Sequence, residues 1–231
     1  MNMPAKYRVK SYQEDGVYYI YNRGIDGREV FGSDQDYNEF LSLCQRYVDE
    51  YHPEPVIPGF KSERPYLARR KQAMNLHGEV EVWAYCLMPN NFYLLVSQKT
   101  KTGMTKFMRR VLTGYVMYFN KKHKRRGGLW EGIYKALRVE NMDQALSVSR
   151  YIHLRSMART IRRFGPVEAI TSSRVEDYPH SSYKIYLNGG RDTWVNCLPI
   201  LKELGEGERK WRSYGEYVQD ARVESKWSEL L

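Results

Sequence analysis

The sequence is poor in cysteine and has no long apolar run. Its three cysteines, Cys44, Cys86 and Cys197, are far apart and lie outside any CxxC spacing. That pattern argues against a disulfide framework or a cysteine-based zinc site and predicts buried, reduced thiols. No stretch of about 18 apolar residues is available for a transmembrane helix. The opening stretch MNMPAKYRVKSYQEDG lacks the apolar core of a signal peptide, so we expect a cytoplasmic protein with no membrane partner.

Acidic residues are also scarce relative to basic ones. The 231 residues include 37 Lys and Arg against 27 Asp and Glu, which gives a net charge of +10. Such an excess favours a polyanionic partner. The 20 tyrosines add to this, because a basic groove with aromatic platforms suits single-stranded nucleic acid. The alternative is that the tyrosines belong to half-buried strands and that the charge only keeps the protein in solution.

Apolar periodicity along the chain predicts four strands and three main helices. The predicted strands are Gly16–Ile25, Glu79–Leu87, Phe92–Ser97 and IYKALRVE at 133–140, and the helices begin at Ser33 or Asp34, at Met104 (ending at His123) and at about Met142 (ending at Ala158). This β-α-β-β-α-β order predicts an α+β fold, a ferredoxin-like split β-α-β antiparallel sheet with helices on one face. We expect one domain over 1–160, with a basic insertion at about 52–78, and a C-terminal helical extension over 161–231.

The stretch MPNNFYLLVSQ, Met88 to Gln98, places two polar side chains on one face of a strand. Because side chains alternate with period 2, Asn91 and Tyr93 project together while Phe92 projects to the other face. Four further segments accompany this one in a fixed order: YYIYNRGIDGREVF, TGYVMYFNKKHKRRGGLWEGIYKA, SRYIHLRSMA and DYPHSSYKIYL. In order and spacing, from about Tyr7 to Leu187, they resemble the REP-associated tyrosine transposases, a branch of the single-tyrosine HUH transposases.

The resemblance implies a ferredoxin-like domain that binds hairpin-forming single-stranded DNA and cleaves it. In this family a helix tyrosine attacks a phosphodiester and forms a 5′-phosphotyrosine. A His-hydrophobe-His strand motif and a polar residue on the tyrosine helix hold Mg²⁺ or Mn²⁺, which polarises the phosphate. The metal matters because a phenol with a pKa near 10 is a poor nucleophile at neutral pH.

Mapped residue by residue, the resemblance makes Tyr151 the nucleophile position. Asn91 and Tyr93 stand where the family has its two histidines, and Arg155 stands where it usually has an asparagine. All three metal-ligand positions are therefore altered. An asparagine carbonyl can still ligate a cation, but a neutral phenol is a poor ligand and a guanidinium cannot ligate at all. We predict no metal site, since His153 should point away from Tyr151 on the helix.

Basic side chains lie along the second predicted helix and just after its end. No acidic residue occurs between Lys106 and Arg126. The candidate contacts to the nucleic-acid backbone in this run are Lys106, Arg109, Arg110, Lys121, Lys122, Lys124, Arg125 and Arg126. Arg23 is a further candidate contact. Trp130 is either a base-stacking residue or an apolar core anchor. Arg155 is either a phosphate ligand that replaces the lost cation or a solvated arginine.

These observations lead to one main functional hypothesis and its rivals. The first is a transposase-like protein that binds single-stranded or hairpin DNA, as a monomer or homodimer, with metal-dependent nicking lost or attenuated. The alternative is an active transposase or nickase that uses Tyr151. A third hypothesis is an RNA-binding or protein-interacting domain derived from a transposase.

Overall fold

The computed structural model describes residues 12–52, 65–157, 175–190, 194–205 and 211–220. Its strands are β1 (Gly16–Arg23), β2 (Val80–Met88), β3 (Asn91–Gln98) and β4 (Lys135–Val139). Its α-helices are α1 (Asp34–Val48), α2 (Pro65–Met74), α3 (Gly103–Lys122), α4 (Met142–His153), α5 (Tyr183–Leu187), α6 (Leu198–Gly205) and α7 (Tyr214–Gln219).

The four strands form one antiparallel sheet in the order β2-β3-β1-β4. The two central strands, β1 and β3, are therefore separated in sequence by α1 and β2, and the two outer strands follow the crossover helices. This is the split β-α-β arrangement of the ferredoxin-like fold. It confirms the α+β fold predicted from the periodicity.

Alternation along the strands gives the sheet two different faces. On β3, Phe92 and Leu94 point to one face, where they join a large aromatic and aliphatic core with residues of α1 and α3. Tyr93 and Leu95 point to the opposite face. The two helices of the split β-α-β unit thus lie on one face, as predicted, and the side chains of the site begin on the other.

The second face is covered by α4 and by the C-terminal extension. Residues from α4, α5, α6 and α7 share one apolar cluster with this side of the sheet. The extension also pairs with the outer strand β2, because the Leu87 amide donates to the His180 carbonyl and the Ser182 amide to the Tyr85 carbonyl, at 2.9 and 3.0 Å. This pairing satisfies polar backbone groups that an outer strand otherwise leaves open.

Several predicted boundaries differ from the structure by a few residues. β1 ends at Arg23, because a 3₁₀ turn over Ile25–Gly27 follows it. α4 ends at His153, because the backbone tightens into a 3₁₀ turn over Leu154–Met157. The insertion contains α2.

Other predictions fall partly or wholly where the structure gives no description. The N-terminal part of the insertion, 53–64, lies outside the described residues. The predicted domain boundary at 160/161 does as well, together with Ala158. In the part of the chain that is described, no helix has the length and apolar character needed to cross a membrane.

Candidate functional site

Tyr151 and Arg155 are presented to the sheet by the end of α4. The helix begins at Asn141, whose side chain accepts a hydrogen bond of 2.8 Å from the Gln144 amide. From this start, Tyr151 falls on the last turn, and Arg155 follows four residues later in the 3₁₀ turn. Residues four apart share a helix face, so both side chains point towards Tyr93 on β3.

The Arg155 guanidinium lies between two phenols. Its Nη1 donates to the Tyr151 hydroxyl at 2.9 Å, and its Nη2 donates to the Tyr93 hydroxyl at 3.2 Å. Its central carbon also lies 5.0 Å from the Tyr151 ring centroid and 4.8 Å from that of Tyr93. Cation–π attraction therefore adds to the two hydrogen bonds in fixing the guanidinium.

Within the described part of the chain, this half-buried cation has no anionic partner. No carboxylate of the described residues forms an ion pair with Arg155, and its Nε is buried with no hydrogen-bond partner. Two neutral phenols cannot neutralise a guanidinium, and burying an uncompensated charge is costly. The described residues thus orient the guanidinium without neutralising it.

Aromatic rings surround the site on the sheet side. Tyr19 stacks on Tyr93, with ring centroids 6.4 Å apart, and meets Tyr151 edge-on at 5.9 Å. Tyr21 stacks on Tyr19 at 5.4 Å. Tyr19 is buried, whereas Tyr21 and Tyr151 are half-buried. The result is a packed tyrosine cluster beside Arg155.

The environment keeps the Tyr151 phenol protonated. Burial raises the pKa of Tyr151, and the Arg155 charge lowers it. Tyr93 raises it, a hydrogen bond with Tyr19 lowers it, and Tyr21 raises it slightly. The net change is upward, away from the phenolate that attack on a phosphodiester requires. Arg155 acts in the activating direction but does not outweigh burial.

The residues at the three altered positions do not fit a divalent cation. Arg155 brings a positive charge to this place, and Tyr93 offers a neutral phenol already hydrogen-bonded to it. Asn91, at the start of β3, contributes only an amide oxygen. Elsewhere in the described ranges, no group of three or more His, Cys, Asp or Glu side chains is arranged to hold a metal ion.

The opposite side of α4 is fixed by the extension. Arg150 donates from Nε to the carbonyls of Tyr217 and Val218 and from Nη2 to that of Asp220. His153 points away from Tyr151, and its two ring nitrogens lie 2.8 Å from the hydroxyls of Tyr214 and Ser182.

The basic run on α3 does not form one surface. The Met104 amide bonds to the Gln98 side chain, so α3 begins beside the end of β3 that is remote from Tyr93. Its other end leads to Trp130, which bridges Gly24 next to β1. Lys106 and Lys122 are separated by about 24 Å along the helix axis. Only the C-terminal part of the run lies at the same end of the sheet as Arg155.

Many of the predicted contact residues have partners within the protein. Lys106 pairs with Glu79 at 2.9 Å, Lys122 with Asp36 at 2.7 Å, and Arg23 with Glu131 in a two-pronged ion pair. Arg110 donates to the Met74 carbonyl, and Arg125 donates to the Gly128 carbonyl. The exposed remainder is Arg109, Lys121, Lys124 and Arg126.

Trp130 belongs to the core. Its side chain is only 8% exposed, and its ring packs edge-on against Phe92 at 5.1 Å. A ring held this way offers no face to a nucleic-acid base, so the core interpretation is the one that the structure supports. Sequence reasoning missed Tyr19, Tyr21 and Arg150; alternation in YYIYN placed the two tyrosines on one face, but nothing local indicated which face.

One family model matches part of the chain. Residues 61–155 match the family model described as IS200-like transposase, a segment that contains Asn91, Tyr93, Tyr151 and Arg155. Over this segment the chain is similar to the IS200-like transposases, the group that its motifs also resemble. No curated protein matches the chain.

One solved structure that is similar to the chain is described as a REP-associated tyrosine transposase bound to a REP hairpin. It is 11% identical, the similarity covers 83% of this chain and 90% of that one, and the TM-score is 0.49.

Proposed function

We propose that the protein binds single-stranded or hairpin DNA of the REP type and that Arg155 anchors a backbone phosphate at the former metal position. One observation carries this proposal: a half-buried guanidinium is held by two phenols, without a counter-ion among the described residues. It lies beside Tyr151, in the segment that matches the IS200-like transposase model. A phosphate supplies the missing anion, and the guanidinium fork suits it.

The charge around the site supports the same proposal. Lys121, Lys124 and Arg126 are exposed at the end of the sheet where Arg155 lies. Net charge of +10 draws a polyanion to the protein, and these side chains would contact phosphates beyond the one that Arg155 holds. Salt should therefore weaken binding strongly.

Metal-dependent nicking is lost or attenuated in this proposal. The residues at the three altered positions do not fit a divalent cation, and the pKa of Tyr151 is raised. Arg155 neutralises part of the phosphate charge but brings neither the Lewis acidity nor the phenolate that the family reaction uses. Binding without efficient cleavage is the outcome we expect.

Fluorescence anisotropy with labelled hairpin DNA and unstructured single-stranded DNA tests the binding. We expect a dissociation constant near micromolar or lower at low salt, weakening steeply as salt rises. Absence of salt-sensitive binding to either DNA contradicts the proposal. Tighter binding to a matched RNA hairpin than to the DNA hairpin would favour the RNA-binding alternative.

An active nickase is the second candidate, and one contact favours it. Arg155 donates to the Tyr151 hydroxyl, which is the geometry of a group that stabilises a phenolate. Incubation of labelled hairpin DNA with Mg²⁺ or Mn²⁺ separates the two candidates. A covalent protein–DNA adduct that forms in the wild type and vanishes in Tyr151→Phe establishes nicking, whereas no adduct supports binding alone.

A further inference from the structure

A row of three side chains crosses the sheet and ends at Arg155. Tyr21 is paired in register with Lys135 on β4 and with Tyr93 on β3. Directly paired residues project to the same face, and neighbouring strands lie about 4.8 Å apart. Lys135, Tyr21 and Tyr93 therefore form a continuous line that leads to the guanidinium.

Tyr21 is the most open aromatic ring in this row. Its neighbour in the row, Tyr93, is 6% exposed, and Tyr19 below it is 1% exposed. Tyr21 itself is half-buried and rests on Tyr19 with an interplanar angle of 27°. A ring supported from below by a second, buried ring is a rigid platform that loses little entropy when something stacks on it.

The ammonium group of Lys135 lies over the Tyr21 ring. Its Nζ lies 5.5 Å from the Tyr21 ring centroid, and the residue is exposed. In the described ranges no carboxylate lies within ion-pair distance of it; the nearby Glu131 is paired with Arg23 and attracts Lys135 only at longer range. A lysine side chain is flexible enough to swing from the ring to a phosphate.

We propose that Tyr21 and Lys135 form a nucleotide subsite for single-stranded DNA. Tyr21 stacks on one unpaired base, and Lys135 contacts the adjoining phosphate, next to the phosphate that Arg155 holds. This inference rests on the proposed function and adds a requirement to it: the nucleotide beside the anchored phosphate must be unpaired. A base within a duplex is stacked on its neighbours and offers no free face to Tyr21.

Abasic scanning of the DNA tests the subsite with the wild-type protein. The probe is a labelled DNA hairpin with a short single-stranded tail, in which each tail nucleotide in turn lacks its base. We expect one position at which loss of the base weakens binding about tenfold, since stacking on an aromatic side chain contributes about 1–3 kcal/mol per base. A flat scan overturns the inference.

Two variants assign the sensitive position to Tyr21. In Tyr21→Leu, which keeps an apolar side chain but no ring, the intact hairpin should bind about tenfold more weakly and the abasic position should no longer matter. Tyr21→Phe keeps the ring and should retain both the affinity and the abasic sensitivity. If Tyr21→Leu remains folded by circular dichroism and is still sensitive to the abasic position, the base stacks elsewhere and the inference is wrong.

The results separate this inference from the proposed function. Hairpin binding that depends on Arg155 but shows a flat abasic scan leaves the proposed function standing and removes the subsite. No binding of any hairpin by the wild-type protein removes both. Because the scan uses the unaltered protein, its result does not depend on how well a variant folds.

Discussion

Arg150 and Arg155 lie on opposite sides of the same helix end, and their surroundings differ in kind. Arg150 is 4% exposed and donates to three backbone carbonyls at the end of α7. Arg155 donates to two tyrosine hydroxyls and retains a buried Nε without a partner. No carboxylate of the described ranges pairs with it.

The difference fits a structural role for Arg150 and the binding role that we propose for Arg155. At Arg150 the acceptors are fixed parts of the fold, so the folded chain satisfies the guanidinium by itself. At Arg155 the residues that the structure describes supply orientation, through the rings of Tyr93 and Tyr151, but no negative charge. A site that is oriented but not neutralised is suited to an external anion.

Replacement of the two arginines should therefore affect folding very differently. Arg150→Met leaves three carbonyls without donors and should lower the free energy of unfolding by about 3 kcal/mol. Arg155→Met removes a cation that lacks a counter-ion and should change it by less than about 1 kcal/mol. Urea-induced unfolding of both variants measures this. Equal losses would mean that Arg155 is as structural as Arg150.

The buried histidine on the Arg150 side predicts a pH dependence of stability. Burial lowers the pKa of His153 to about 3, whereas a histidine in an unfolded chain titrates near 6.5. Between these values the unfolded chain binds a proton that the folded chain does not. Stability from the neutral ring is thus complete above about pH 6.5 and declines as the pH falls towards 3.

We expect a loss of about 2 kcal/mol in the free energy of unfolding between pH 6.5 and pH 5 from this residue. The loss should be absent in His153→Gln, which keeps hydrogen-bonding capacity without titrating there. Thermal unfolding across this pH range compares the two proteins. A wild type with the same pH profile as the variant contradicts the assignment.

The two ends of the α3 basic run should contribute unequally to DNA binding. Lys124→Gln with Arg126→Gln removes two charges at the Arg155 end and should weaken hairpin binding about fivefold at low salt. Lys106→Gln with Arg109→Gln removes two charges at the remote end and should change it less than about twofold. Anisotropy titrations at one salt concentration make the comparison. Similar losses for both pairs would indicate a DNA path along the whole helix.

Replacement of Glu131 should produce a small gain in hairpin affinity. The Glu131 carboxylate forms an ion pair with Arg23, which is exposed near the site. Glu131→Gln should therefore free the Arg23 guanidinium and tighten hairpin binding about twofold. Glu140→Gln is the matched control, since it removes the same charge beside Arg138. An equal gain in both variants would reflect net charge alone.

The fold and the centre of the site could be predicted because their signals are local. Alternation in NFYLLV separates Asn91 and Tyr93 from Phe92, and helical spacing brings Arg155 to the side of Tyr151. The surroundings of the charges could not be predicted this way. Lys106 forms an ion pair with Glu79, and Lys122 forms one with Asp36, and in both pairs the partners are far apart in sequence. The basic run therefore resembled a single surface in the sequence.

The row formed by Lys135, Tyr21 and Tyr93 could not be predicted from the sequence either. It depends on the register of β1 with both β3 and β4, which is set by packing of the whole sheet and not by any one strand. Trp130 was ambiguous for the same reason, because an aromatic residue after a glycine pair reads alike whether it lies in a core or on a binding surface.

The central claim is that the Arg155 guanidinium anchors a DNA phosphate where the family binds a metal. Its most direct test is the hairpin affinity of wild type and Arg155→Gln across a range of salt concentrations, with Arg109→Gln as the control for loss of one charge. We predict that Arg155→Gln weakens binding at least about tenfold and lowers the salt slope by about one, while Arg109→Gln changes little. A folded Arg155→Gln with wild-type affinity and slope would contradict the claim.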